Sequence, residues 1–295
     1  MPPNAAQPVN PSANSPDNPT ITHYENFPVA SWLCPPHLRP AIAAIYGFAR
    51  TADDIADEGD APAAVRLDDL AAFKHALQTL AQGNAPSARW PGVFLPLAQV
   101  LRDFSLPLPL LEQLLAAFEQ DVRFTLEGRR YQNDAELLDY CTRSANPVGR
   151  LLLHLYGVTD AASLAQSDQI CSALQLINFW QDVSVDAPRA RWYVTQEALQ
   201  RFGVTEATLL RNQASPAATL LIAAYARSAR SEMLKGASLA CRIPGRAGWE
   251  LRLVVQGGLR ILDKIEALNF ETWRVRPKLG WRDTPVLLWR AWRMG

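Results

Sequence analysis

Two segments of the chain repeat acidic and amide side chains at the spacing of one helix face. In the first segment the polar residues fall at offsets of 0, 4, 7 and 11, and they are Tyr46, Arg50, Asp53 and Asp57. In the second segment the offsets are 0, 3, 7 and 11, and the residues are Gln175, Asn178, Asp182 and Asp186. Because an α-helix has 3.6 residues per turn, each set would form one stripe along its helix.

A single acidic stripe is usually a solvated surface, but the second stripe lies in a segment that is apolar on its other sides. Such a helix is normally buried, and buried carboxylates are costly unless they are paired or bind a metal. Two facing stripes of carboxylate and amide oxygens suit Mg²⁺, which bridges readily to substrate phosphates. The pattern therefore predicts a site where Mg²⁺ assists the departure of diphosphate, above an apolar cavity that shelters a carbocation.

The elements that must position these stripes are helices. Segments rich in Ala, Leu, Arg, Glu and Gln alternate with breaks at Pro, Gly and Asn. Neither paired β-branched runs of period two nor a glycine-rich phosphate loop is found in the sequence. The sequence predicts an all-α domain at 21–295, with helices at 38–57, 64–82, 110–126, 135–156, 168–186, 196–213, 217–240 and 246–268.

Composition and charge exclude other classes of protein. Lys plus Arg and Asp plus Glu are 29 each, which argues against a nucleic-acid-binding protein. Four scattered cysteines without a CxxC pair, and four histidines, argue against a zinc site or a disulfide framework.

The amino-terminal residues and the apolar segments bear on location. Residues 1–20 contain six prolines and four asparagines and are predicted to be a disordered tail. The absence of Lys or Arg before Arg39 argues against a secretory signal, and no apolar stretch is long enough to span a membrane. We expect a cytoplasmic protein. The tryptophans near the end fit either a packed C-terminal helix or peripheral contact with the inner membrane.

In order and spacing, the motif residues resemble the squalene/phytoene synthase family of head-to-head isoprenoid synthases, from His23 to about Arg276. The landmarks are Tyr46-x-Phe48-x-Arg50-x-x-Asp53-Asp54-x-x-Asp57, Tyr140-Cys141 with Val148-Gly149, and Gln175-x-x-Asn178-x-x-x-Asp182-x-x-x-Asp186 followed by Arg191-x-Tyr193. The resemblance implies a single-domain isoprenoid synthase fold, with helices around a central apolar cavity and two or three Mg²⁺ ions at the aspartate motifs.

The resemblance also implies a role for each motif residue. The residues implied to bind Mg²⁺ are Asp53, Asp54, Asp57, Asn178, Asp182 and Asp186. The residues implied to bind the substrate through its diphosphate are His23, Asn26, Arg50, Gln175, Asn178, Arg191 and Tyr193. Tyr46 and Tyr140 would border the reacting carbon as catalytic residues.

Three positions depart from the pattern of the family members that condense two prenyl diphosphates. Glu25 stands where those members carry a cation, Gln181 where they carry an arginine, and Gly258 where they carry a tyrosine. With these changes the chain resembles the members that convert presqualene diphosphate and water to hydroxysqualene and diphosphate, without NADPH. The expected activity is thus that of a lyase in bacterial squalene and hopanoid biosynthesis.

The departures also suggest how water is captured. The amide of Gln181 can both donate and accept a hydrogen bond, and Gly258 would leave room where a phenol otherwise sits. We therefore expect Gln181 to act as a catalytic residue that positions a water beside the carbocation.

Other functions stay open on the sequence alone. The three departures disfavour a presqualene diphosphate or phytoene synthase. The residues that precede the aspartates, Tyr46 and Arg50 in the first motif and Gln175 and Asn178 in the second, disfavour a head-to-tail prenyltransferase or a terpene cyclase. A non-catalytic assembly factor of the same family would have eroded acidic motifs, whereas all five motif aspartates stand here. The expected partners are presqualene diphosphate and, transiently, other enzymes of the squalene pathway.

Overall fold

The computed structural model describes residues 34–294, and within that range the regular structure is helical, without strands. The helices are α1 (Arg39–Asp57), α2 (Ala63–Ala81), α3 (Pro91–Phe104), α4 (Leu108–Glu127), α5 (Asp134–Ser144), α6 (Asn146–Leu155), α7 (Ala161–Gln181), α8 (Val183–Asp186), α9 (Gln196–Phe202), α10 (Glu206–Leu210), α11 (Pro216–Gly236), α12 (Leu239–Arg242), α13 (Gly245–Ala267) and α14 (Thr284–Arg293). The predicted all-α class is confirmed. The predicted tail at 1–20 lies outside the described residues.

Helix α1 carries the first acidic stripe because its other faces are apolar. Pro40 stands in the first turn, where a missing N–H costs nothing. Ile45 and Phe48 are buried, which turns the polar stripe away from the core. The helix ends where the N–H of Glu58 bonds to the carbonyl oxygen of Asp54, just before Gly59 at φ +75°.

The second acidic segment is not one continuous helix, as the sequence predicted, but two. Asp182 leaves helical geometry at φ −102° and ψ 11°, between α7 and α8. The N–H of Ser184 donates to the carbonyl oxygen of Thr272 at 3.2 Å, outside the helix. The stripe is therefore bent at Asp182.

Three other predicted helices are also divided, and one of them is the segment 217–240, which breaks after Gly236 into α11 and α12. The segment 135–156 breaks at Ala145, with φ −120°, into α5 and α6, and the segment 196–213 breaks at Gly203, with φ +65°, into α9 and α10. Helix α3 was not predicted.

The buried residues form two clusters, and a cavity lies where they meet. One cluster is built mainly from α1 to α4 and the other around α7, α11 and α13. Residues of both clusters line the cavity, Ile42 from the first and Ile170 from the second. Among residues 34–294, none of the helices is long and apolar enough to cross a membrane.

Candidate active site

The cavity has a volume of about 480 Å³ and is largely apolar. Side chains of α1, α4, α6, α7, α12 and α13 line it, including Ile42, Ile45, Leu114, Phe118, Val148, Leu152, Leu153, Ile170, Leu174, Leu239, Ile243 and Leu251. Tyr46, Arg50 and Asp53 of the first acidic stripe lie in the same wall. The central apolar cavity that was expected is therefore present, and the first acidic motif borders it.

Arg50 neutralises part of the first acidic motif. Its guanidinium lies 2.8 Å from Asp53 Oδ2 and 2.6 Å from Asp54 Oδ1. Burial, followed by the negative charge of Asp57, raises the pKa of Asp53 to about 6 in spite of Arg50. The motif thus holds more negative charge than one arginine offsets.

Arg191 joins the two acidic segments. Its Nη2 lies 2.7 Å from Asp57 Oδ1, which ties the segment after α8 to the end of α1. Burial, together with the charges of Asp182 and Asp57, raises the pKa of Asp186 to about 7. The sequence predicted that the two acidic stripes face each other, and the structure pairs Arg191, five residues after Asp186, with Asp57.

Asp182 is held by Arg276, which the sequence did not assign to the site. The guanidinium binds the carboxylate through two contacts, Nε to Oδ1 at 2.5 Å and Nη2 to Oδ2 at 2.9 Å. Burial raises the pKa of Asp182, and Arg276 opposes that rise. On α7, Asn178 is exposed and Gln175 is half-buried. Within residues 34–294, no three acidic, histidine or cysteine side chains converge on one point.

Behind the acidic segments lies a cluster of aromatic rings with one carboxylate, Asp121, that sequence reasoning missed. Tyr140 donates its hydroxyl to Asp121 Oδ2 at 2.5 Å, and Tyr193 stacks on Phe179 at 3.7 Å between ring centres. Burial raises the pKa of Asp121 to about 7, with Asp57 and Asp53 adding to the rise. Asp121 lies seven residues after the buried Leu114, so helical spacing already placed it on the inward face of α4.

The structure does not bring Gln181 to the cavity. Its side chain is fully buried and its amide donates to the carbonyl oxygen of Pro277 at 2.7 Å, tying α7 to the segment that follows α13. The placement gives no support to the prediction that Gln181 positions a water beside the carbocation, because the amide nitrogen binds the backbone and Gln181 is not among the residues that line the cavity.

Gly258 leaves no room for water. A Cβ built at this position would lie 2.8 Å from Met233 Cε, 3.1 Å from Leu174 Cδ2 and 3.3 Å from Ile177 Cδ1. The glycine therefore allows α13 to pack closely against α7 and α11.

Two of the predicted substrate-binding residues, His23 and Asn26, lie outside the described residues.

Of the hydroxyl side chains in the cavity wall that the sequence analysis did not assign, which are Ser144, Tyr156 and Ser167, one is buried without a partner. Ser144, the last residue of α5, lines the cavity, and its Oγ is buried with no hydrogen-bond partner among the described residues. A buried polar group without a partner is unusual and calls for a ligand or water.

Helices around an apolar cavity, with acidic segments meeting beside it, define the class of all-α isoprenoid synthases. The chain belongs to one family within that class: the squalene/phytoene synthase family model matches residues 21–283.

Curated relatives agree with this family. A hydroxysqualene synthase of Sinorhizobium fredii is 32% identical over 260 residues, covering 87% of this chain and 83% of that protein. A hydroxysqualene synthase of Zymomonas mobilis is 37% identical over 195 residues, covering 65% and 61%. A presqualene diphosphate synthase of Rhodopseudomonas palustris is 29% identical over 255 residues, covering 86% and 88%.

A solved structure agrees with the fold. Squalene synthase HpnC from Alicyclobacillus acidocaldarius is 32% identical, with a TM-score of 0.75 over 84% of this chain and 90% of that one. The predicted family and fold are thus confirmed.

Proposed function

We propose that this protein is a hydroxysqualene synthase, which converts presqualene diphosphate and water to hydroxysqualene and diphosphate. One observation carries the proposal: the Arg191–Asp57 ion pair joins two acidic segments beside an apolar cavity that Asp53 also lines. A diphosphate bound there would place its hydrocarbon in the cavity. The relatives named hydroxysqualene synthase support the choice of reaction within the family.

The donor set fits Mg²⁺ because it consists of oxygen ligands. We propose that the half-buried carboxylates of the two acidic segments hold two or three ions, with Asn178 adding an amide oxygen. These carboxylates are Asp53, Asp54, Asp57, Asp182 and Asp186. When bound, Mg²⁺ supplies positive charge to the leaving diphosphate.

The arginines that now pair with these aspartates would donate to the diphosphate. Arg50 and Arg191 have planar guanidinium groups, which match phosphate oxygens. Ionisation breaks the carbon–oxygen bond, and the electron pair leaves with the diphosphate. The apolar wall keeps bulk water away while the carbocation rearranges.

One water must then reach the carbocation. Its oxygen forms the new carbon–oxygen bond, and one proton is released with the diphosphate, so that the reaction needs no reductant and no NADPH. Ser144 lines the cavity and its buried hydroxyl has no partner among the described residues. A rotation of this side chain toward the cavity would let the hydroxyl hold the water.

The experiment is product analysis with purified full-length protein. Presqualene diphosphate and farnesyl diphosphate are supplied separately, with Mg²⁺ or with EDTA, and without NADPH. We expect hydroxysqualene from presqualene diphosphate with Mg²⁺, no turnover with EDTA, and no product from farnesyl diphosphate. D57N should reduce the rate by about 100-fold, because it removes one ligand and the partner of Arg191.

D60N is the matched control, because Asp60 is an exposed aspartate three residues after Asp57. Its rate should stay within about twofold of the wild type. Presqualene diphosphate or phytoene formed from a prenyl diphosphate would contradict the proposal in favour of a condensing synthase. No turnover of either substrate would favour a non-catalytic assembly factor.

A further inference from the structure

Helix α14 presents an apolar stripe to the outside of the protein. Its apolar residues at offsets of 0, 3, 4 and 7 are Pro285, Leu288, Trp289 and Trp292, and all four are exposed. Leu288 is 49% exposed, Trp289 55% and Trp292 65%, while Trp281, just before the helix, is 80% exposed. We call Trp281, Leu288, Trp289 and Trp292 the α14 apolar face.

The opposite side of α14 is the one that packs on the protein. Ala291 is fully buried, and Arg290 binds Asp263 of α13 at 2.6 Å. Asp283, at the start of α14, binds Arg260 and Lys264 of α13 at 2.8 and 2.6 Å. These ion pairs fix the orientation of α14, and the α14 apolar face therefore points away from the protein.

Positive charge borders the α14 apolar face. Arg282 lies over the ring of Trp281, 5.3 Å from its centre, and Arg293 lies over the ring of Trp289 at 5.1 Å. Asp283 is the one acidic residue in 281–294, and it is buried. The outward surface of this segment thus combines tryptophan, leucine and arginine without exposed negative charge.

This chemistry matches the surface of an anionic lipid bilayer. Scattered apolar side chains on a surface are ordinary, but a contiguous apolar patch with a charged border marks an interaction site. Tryptophan rings lie at the level of lipid headgroups, and basic residues beside an apolar helix face attract anionic lipids. The arginine border favours such a surface over a second copy of this chain, whose own α14 apolar face would bring like charges together.

The position of α14 also suits a lipid substrate. Cys241 Sγ of α12 donates to the carbonyl oxygen of Met294, at the end of α14, at 2.8 Å. Leu239 of α12, and Ile243 and Ala247 beyond it, line the apolar cavity. A membrane beneath α14 would therefore lie beside the cavity wall, an advantage that rests on the proposed function.

We propose that the α14 apolar face docks this protein on the surface of anionic lipid bilayers, with its tryptophans at the headgroup level and Arg282 and Arg293 on the lipid phosphates. The docking lies parallel to the membrane surface and does not span it.

The test is flotation of the purified protein with vesicles of phosphatidylcholine alone or with phosphatidylglycerol. The wild type should bind the vesicles with phosphatidylglycerol at least about tenfold more tightly than those of phosphatidylcholine alone. Salt at 0.5 M should weaken that binding, because it shortens the Debye length below its value of about 8 Å at physiological salt. W289S/W292S should lose about tenfold or more in affinity, and R282Q/R293Q should lose the preference for phosphatidylglycerol. Brominated lipid chains should quench the tryptophan fluorescence of the wild type.

L220S/L234S is the matched control, because Leu220 and Leu234 of α11 are as exposed as the α14 leucine and tryptophans. This control should bind vesicles like the wild type. Equal binding by W289S/W292S and the wild type, or no vesicle binding by the wild type, would overturn the proposal. The proposal would also be overturned if the wild type bound no vesicles but formed a dimer, and if W289S/W292S were a monomer. Circular dichroism checks that each variant is folded, and the vesicle readout stands even where no substrate is turned over.

Discussion

The Ser144 hydroxyl is the residue-scale feature that bears most directly on the product. It is buried in the cavity wall with no partner among the described residues. A carbocation in an apolar cavity ends either by losing a proton, which gives a hydrocarbon, or by binding water. A group that holds one water beside the carbon therefore decides the ratio of the two products.

S144A is expected to lower the fraction of hydroxysqualene several-fold and to raise the hydrocarbon fraction, while the KM for presqualene diphosphate stays within about twofold. The thermal midpoint should stay the same or rise, because the variant removes a buried hydroxyl that has no hydrogen bond. Chromatography of the products and a thermal scan measure both effects. S231A, at an exposed serine of α11, is the control. An unchanged product ratio in S144A would remove Ser144 from the mechanism.

At the residue scale the sequence predicted the aspartates but not their partners. Helical spacing alone identified Asp53 and Asp57, because spacing reports which side chains share a face. It did not identify Arg276, 94 residues after Asp182 along the chain, since a contact between distant segments leaves no local pattern. Gln181 was misplaced for the same reason: its partner, the Pro277 carbonyl, belongs to a loop whose path the sequence does not show.

At the scale of elements, Asp283 fastens α14 to α13. Its carboxylate accepts from Arg260, Lys264 and the backbone N–H of Gly280, at 2.8, 2.6 and 2.8 Å. Burial alone would raise the pKa of Asp283, but these three donors outweigh burial and lower the pKa to about 2. The carboxylate is thus ionised in the folded protein at pH values where an ordinary aspartate is already protonated.

D283N should destabilise the protein by about 3 kcal/mol at pH 7, because it leaves two cations without their buried partner. Because the pKa of Asp283 is about 2 in the folded protein and the ordinary value is 3.8, its ionised carboxylate stabilises the folded state above about pH 4. That stabilisation is lost as the pH falls toward 2. The difference between the wild type and D283N should therefore be constant from pH 7 to about 4 and shrink below it. Urea unfolding at pH 7, 5, 4 and 3 measures this, with D103N, at an exposed aspartate, as the control. A difference that grows toward low pH would contradict the assignment.

The elements themselves were largely predictable, and their breaks were not. Composition and breaker residues predicted α1, α2 and α13 to within two residues. The break at Ala145 was not predicted, because a single residue leaves helical geometry there and that residue is neither Gly nor Pro. Helix α3 escaped because it contains Pro91 and Pro96, residues that normally indicate a helix boundary.

At the scale of the whole molecule, two apolar clusters meet at one cavity, the first acidic segment borders it, and the Arg191–Asp57 ion pair joins the second segment to the first. The chain has no net charge, yet Arg50 and Asp53 border one part of the cavity, and aliphatic side chains form most of the rest of its wall. Such a separation of polar and apolar walls suits a substrate with a diphosphate at one end and a long hydrocarbon at the other. The sequence predicted both walls, while the size of the cavity and the outward face of α14 depend on packing between distant helices.

The central claim is that presqualene diphosphate is ionised in this cavity and that water captures the rearranged carbocation. The direct measurement is incubation of the full-length protein with presqualene diphosphate and Mg²⁺ in ¹⁸O-labelled water, without NADPH, followed by mass spectrometry of the lipid products. We predict hydroxysqualene that carries one ¹⁸O atom. Hydroxysqualene without the label would mean that its oxygen comes from the diphosphate, and a hydrocarbon product alone would mean that water is not the nucleophile; either result would contradict the claim.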